Sequence, residues 1–169
     1  MNTKVLHDIT CGLYLLASRS GSSRSGCIIN TVMQVTSKPL RITVTVNKAN
    51  YTHDLIAQSG VLTVSLLDQS APFGLFQHFG FQSGRNTDKF QDLSIKEDSN
   101  GVPYLTWASC GYLSCKVVSS MDLGTHTQFL ADVVECDVLP GGAPVSYAYY
   151  QERIKPKPQP QSTVKGWRC

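Results

Sequence analysis

The sequence predicts a mainly β fold, a closed β-barrel with a few short helices, and three observations carry that expectation. Residues 40–46 alternate strictly, with Leu40, Ile42, Val44 and Val46 on one face and Arg41, Thr43 and Thr45 on the other, the period-two signature of a half-buried strand. Two pairs of β-rich runs, residues 12–19 with 26–31 and residues 112–119 with 128–139, are separated by turn-forming residues and read as antiparallel hairpins. Only two short segments have helical character, and 169 residues suffice to bury one sizeable core without disulfides or metals.

The elements follow in order. Residues 12–19 (GLYLLASR) and 26–31 (GCIINT) are short apolar strands, and the Ser/Gly/Arg run at 20–25 is expected to form the loop between them. After the alternating strand, Asn50 or Thr52 can cap a helix running through Leu55 and Ile56, with Gly60 in the position that ends helices in a left-handed conformation. Residues 61–67 (VLTVSLL) resume as a strand, 71–79 read as a short aromatic helix with Pro72 near its start, and 83–100 as a mostly polar loop. The runs 112–119 and 128–139 pair across a turn at 121–125. Residues 155–162 (KPKPQPQS) alternate proline with Lys and Gln, which favours extended polyproline geometry. The expected division is one domain over residues 1–154 and a Pro-rich linker or tail over 155–169.

Fifteen Lys and Arg against twelve Asp and Glu leave a charge of +3, too slight an excess for nucleic acid but compatible with a small anionic ligand. The N-terminal apolar stretch is shorter than a bilayer crossing and is interrupted by Asp8, so no membrane association and a cytoplasmic location are expected. Six cysteines at irregular spacing, without a CxxC pair, predict reduced thiols and no metal site. Cys11, Cys27, Cys115 and Cys136 lie in apolar or alternating runs and are expected to be buried. Hydrolase, Rossmann and Walker A patterns are absent.

Five polar segments punctuate this Val/Thr-rich background: residues 30–39 (NTVMQVTSKP), 46–52 (VNKANYT), 81–90 (FQSGRNTDKF), 124–129 (GTHTQF) and 146–150 (SYAYY). Each places hydroxyl and amide side chains at or just beyond a strand-like run, so several strand ends can present donors and a cation to one phosphorylated ligand. Asn47, Lys48, Asn50 and Thr52 stand at a strand end and a helix N-terminus, where free N–H groups and the helix dipole favour an anion. The order and content of the five segments resemble the flavin reductase-like family of FMN-binding split barrels, over roughly residues 4–157.

That resemblance implies that Asn30, Thr31, Val32, Met33 and Gln34 pass along the flavin ring with mostly backbone contacts, with Thr36 and Ser37 nearby. Ser83, Gly84 and Arg85, followed by Asp88, Lys89 and Phe90, resemble the family's SGR-x-x-DKF stretch, which closes near the phosphate and ribityl end; Arg85 or Lys89 could neutralise charge there. His126 stands where the family has a histidine close to the nicotinamide half of NAD(P)H, although Thr125 replaces the acidic residue usual before it. Tyr147, Tyr149 and Tyr150 read as core or interface aromatics. The resemblance thus implies FMN as cofactor, NADH or NADPH as donor, a homodimer, and a rubredoxin-like domain, flavodiiron protein or free flavin as electron acceptor. Residues 165–169 (KGWRC) resemble the opening of a rubredoxin-like module. A passive FMN-binding electron carrier and a non-redox β-barrel binding module are the competing expectations.

Overall fold

The computed structural model describes residues 1–157, and the KGWRC ending lies outside the described residues. After a 3-10 segment, Thr3–Asp8, the strands are β1 (Tyr14–Ser20), β2 (Ser23–Ile29), β3 (Val32–Ser37), β4 (Leu40–Asn47), β5 (Val61–Leu67), β6 (Ile95–Glu97), β7 (Pro103–Leu105), β8 (Ser109–Asp122) and β9 (His126–Val138). Helices α1 (Tyr51–Ser59) and α2 (Phe73–Gly80) flank β5, and a short α3 (Tyr147–Tyr149) leads into a π-helical turn, Tyr150–Ile154. Among the described residues no helix is long and apolar enough to cross a membrane.

Seven strands form one antiparallel sheet in the order β2-β1-β5-β8-β9-β4-β3. Strands β2 and β4 stand five places apart, which in a flat sheet is roughly 24 Å, yet Cys27 and Ile29 of β2 share one buried cluster with Ile42, Val44 and Val46 of β4. The sheet therefore curls into a barrel around that cluster. It stays split between β2 and β3, which are consecutive in the chain but share no ladder. The alternation read in residues 40–46 appears as predicted for Ile42, Val44 and Val46, which face the barrel interior, while Leu40 at the hairpin end is exposed.

Strand β1 is buried on both faces. Leu16 joins the interior, whereas Leu13, Leu15 and Ala17 join a second cluster with Leu75, Phe76 and Phe79 of α2, Phe90, Leu105 and Tyr150. Helix α2 and the 88–108 segment thus cover the outside of the β1–β5 wall, and Tyr150 packs against Phe76 with ring centroids 4.7 Å apart.

Several expectations are corrected. The stretch 20–25 is mostly ladder: Ser20 pairs with Ser23 across a tight turn, because Gly21 at φ 59° supplies the left-handed conformation that lets two residues reverse the chain. The polar 83–100 stretch contains β6, which pairs with β7. Asn50 is the N-cap of α1, but its side chain makes no capping bond, and Thr52 is buried beside β2 rather than acting as the cap. Gly60 does end α1 at φ 70°, donating its N–H to Ile56 O. Cys27 and Cys115 are buried, but Cys11 is half-buried and Cys136 exposed, since the C-terminal end of β9, Cys136 to Val138, is exposed at successive residues.

Candidate functional site

Strand β4 feeds α1 through a turn built by asparagines. Asn47 Oδ1 accepts from Ala49 N at 2.9 Å, Asn50 N donates to Asn47 O at 3.0 Å, and His53 N donates to Asn50 O at 3.0 Å. The first turn of α1 opens on a small chamber of about 220 Å³ lined by Ser25, Asn50, Thr52, Ser83, Gly84 and Lys89, among others. Backbone amides at a helix start lack intrahelical partners and carry the positive end of the dipole, so they favour an anion. Ser25 is 1 % exposed and accepts from Thr52 Oγ1 at 3.3 Å. A Cβ on Gly84 would overlap Ser25 Oγ, so only glycine lets the 83–85 backbone close the chamber.

Of the cations assigned to the anion, Lys89 lies in the chamber wall but is 3 % exposed, and its Nζ donates to Gly26 O at 3.0 Å and Phe79 O at 3.1 Å. Burial lowers its pKa and pushes the neighbouring Cys27 thiol up to about 11, so this thiol stays protonated and inert. The amine ties β2 to the end of α2 and contributes its field from behind the wall. Lys48 instead pairs with Asp122 at 2.7 Å. Arg85 pairs with Asp54 at 2.7 Å and lies over the Tyr51 ring at 5.2 Å, while Arg24 holds Asp88 at 2.9 Å.

These two ion pairs fasten the 81–90 loop to the barrel. Burial alone would raise Asp54 and Asp88. Hydrogen bonds outweigh it, from His53 and Arg85 to Asp54 and from Arg24 and the Phe90 amide to Asp88, so both carboxyls sit below their usual range. A carboxyl with a lowered folded pKa contributes stability above its unfolded value, near pH 4, and loses it as pH falls through the folded value. The loop should therefore loosen first below about pH 4, seen as faster amide exchange across residues 84–88. Asp88→Asn should produce that loosening already at neutral pH, and unchanged exchange in both cases would refute the fastening role.

Gly80 and Phe81 line both this chamber and a second one of about 360 Å³, whose other walls include Ile28, Phe76, Tyr147 and Tyr150. Asn30 and Tyr147 in turn line both the second chamber and a cleft of about 840 Å³, walled by Leu6, Ile9, Val32, Met33 and Val145 with Thr31, Thr43, Thr45 and Gln128. Successive chambers share wall residues and so lie next to one another, in a row (the trough) from a polar, helix-capped end to a wide, largely apolar one. Thr31 Oγ1 donates to Thr45 O at 2.7 Å, which fixes the bend where β2 passes into β3.

The structure thus brings Asn30, Thr31, Val32 and Met33 to the wide end, and Asn50, Thr52, Ser83, Gly84 and Lys89 to the narrow end. Arg85 lines a neighbouring polar chamber with Arg24 and Tyr51. Gln34, Thr36 and Ser37 lie further along β3 toward its hairpin, where Thr36 Oγ1 donates to Pro39 O at 2.6 Å, and line none of these chambers. Asn47 pairs across the ladder with His126. His126 lies two residues from Gln128 on β9, on the same face, so it stands roughly 7 Å along the strand from the cleft wall. Thr125 Oγ1 is 2.8 Å from His126 Nδ1, within hydrogen-bond distance. Ser25, Phe81, Cys11 and Tyr51 escaped the sequence reading. Ser25 sat in a stretch read as a hairpin loop and Phe81 opened the polar segment 81–90 without being singled out, and their place in the trough is a tertiary fact.

Residues 6–157 match the family described as the flavin reductase like domain. The chain is 39 % identical over 167 residues to the high molecular weight rubredoxin of Moorella thermoacetica, spanning 97 % of this chain and 73 % of that protein. It is 36 % identical over 164 residues to the ferric-chelate reductase (NAD(P)H) of Archaeoglobus fulgidus, spanning 97 % of each. Its fold is similar to an NADH:FAD oxidoreductase of Streptomyces globisporus solved with NAD and FAD fragments, with a TM-score of 0.75 and 22 % identity over 85 % of this chain and 84 % of that one. With the barrel and the match covering nearly all described residues, the chain belongs to the flavin reductase like domain family.

Proposed function

We propose that this protein is an FMN-binding NAD(P)H oxidoreductase whose trough takes the flavin phosphate at the α1 end and the ring system at the Asn30–Met33 end. The observation that carries the reading is the adjacency of the three chambers, each sharing wall residues with the next. A small hollow with a helix N-terminus, the hydroxyls of Ser25, Thr52 and Ser83 and a glycine-dependent wall lies one chamber away from a wide apolar cleft that suits a flat aromatic system. The residues present fit the group. Ser25, Thr52, Ser83 and the first-turn amides of α1 would hold the phosphate, with Lys89 adding positive potential from behind, while the 30–33 backbone would align the ring.

Flavin, when bound, supplies hydride acceptance from a nicotinamide and onward delivery of electrons. The chain's own residues orient both partners and limit water at the narrow end. His126, on the face that continues from Gln128, would steady the nicotinamide nucleotide, with Thr125 orienting its imidazole. The names of the two relatives favour NAD(P)H as donor and a rubredoxin-type acceptor, with a flavodiiron protein or free flavin as the other candidates. Met33 is largely exposed in the wall of the cleft, and covering it favours a homodimer over the wide end.

His126→Ala tests the reductase assignment. Its kcat/KM for NAD(P)H oxidation should fall by about tenfold or more while FMN affinity is unchanged. Unaltered turnover would leave a carrier reduced by another protein.

A further inference from the structure

We infer that Phe81 is the side chain that closes over bound flavin at the neck of the trough and sets how long the cofactor stays; this rests on the flavin reading above. Phe81 is 70 % exposed, directly after a helix in which Phe76 and Phe79 are 3 % and 1 % exposed and Phe73 is partly buried. Its backbone is anchored, since its N–H donates to Gln77 O at 3.0 Å and ends α2, so the free part is the ring alone. An exposed phenyl group leaves a large apolar surface in water, and covering it is favourable.

Its position names what would cover it. Phe81 lines both the small polar chamber and the second chamber, whose remaining walls include Ile28, Phe76, Tyr147 and Tyr150. A molecule with its phosphate in the first chamber and its ring system beyond the second must pass this neck, with Phe81 forming part of the wall around it. The phenyl ring contributes no hydrogen bond to the phosphate. Its effect should therefore fall on release of the flavin body and be the same for FMN and for riboflavin.

The test compares the wild-type chain with Phe81→Ala and Phe81→Trp, using FMN and riboflavin as probes. For Phe81→Ala the account expects both flavins to dissociate about tenfold faster or more, by equal factors, with the apoprotein melting temperature unchanged because the side chain is exposed. For Phe81→Trp it expects retained affinity and a new indole emission quenched stoichiometrically by FMN. Equal release rates in wild type and Phe81→Ala, an unquenched new indole, or a shift confined to the monomer–dimer equilibrium would each overturn the inference. If the wild-type chain binds neither flavin, the flavin reading itself fails and takes this inference with it.

Discussion

Gly84→Ala should weaken FMN binding by about a hundredfold, the effect of losing one or two charge-assisted hydrogen bonds to a phosphate. A Cβ at this position would overlap Ser25 Oγ and stand 3.0 Å from Ser25 Cβ. Ser25 has nowhere to retreat: it is buried on β2, paired with Ser18 of β1 and held by Thr52. The 83–85 backbone must therefore move outward, which opens the chamber on the side facing α1. Because most of that loop is exposed, the barrel should survive, with a melting temperature near that of the wild type. Fluorescence titration of FMN with both proteins decides the matter, and equal affinities would place the phosphate elsewhere.

Lys89→Met should destabilise the apoprotein by about 2 kcal/mol or more, read as a melting temperature roughly 4–8 °C lower. Methionine restores most of the stem volume but leaves Gly26 O and Phe79 O buried without the donor that now serves both. Removing the charge also relieves the burial penalty on the ammonium, which moderates the loss. The two carbonyls belong to β2 and to the end of α2, so the variant should uncouple the wall of the narrow chamber from the helix that carries Phe81. FMN affinity should fall alongside stability. A variant as stable as the wild type would show that the amine is dispensable to the fold.

The barrel was legible in the sequence where one face of a strand is buried and the other is not, as in Ile42, Val44 and Val46. Gly60 was legible because only glycine readily takes the left-handed conformation that ends α1 there. The narrow chamber was legible in half. Asn50, Thr52, Ser83 and Gly84 form local patterns at a helix start and a loop, whereas Ser25 reaches them only because α1 packs against β2. The surroundings of the cations were not legible, for a related reason. Lys48 and Lys89 look alike in sequence, but one finds Asp122 across a hairpin and the other two carbonyls inside the wall, and neither partner is local in the chain. Cys136 followed an apolar, strand-like pattern yet is exposed, because the pattern does not say which part of a strand is covered.

The most direct test of the trough as a flavin reductase site is the visible absorption spectrum of the protein after FMN addition and desalting, followed anaerobically as NADH or NADPH is added. The account predicts that flavin absorption stays with the protein near one FMN per chain and bleaches on addition of one of the two nucleotides. A protein that takes up no FMN, or one whose bound FMN bleaches only with dithionite, would contradict it.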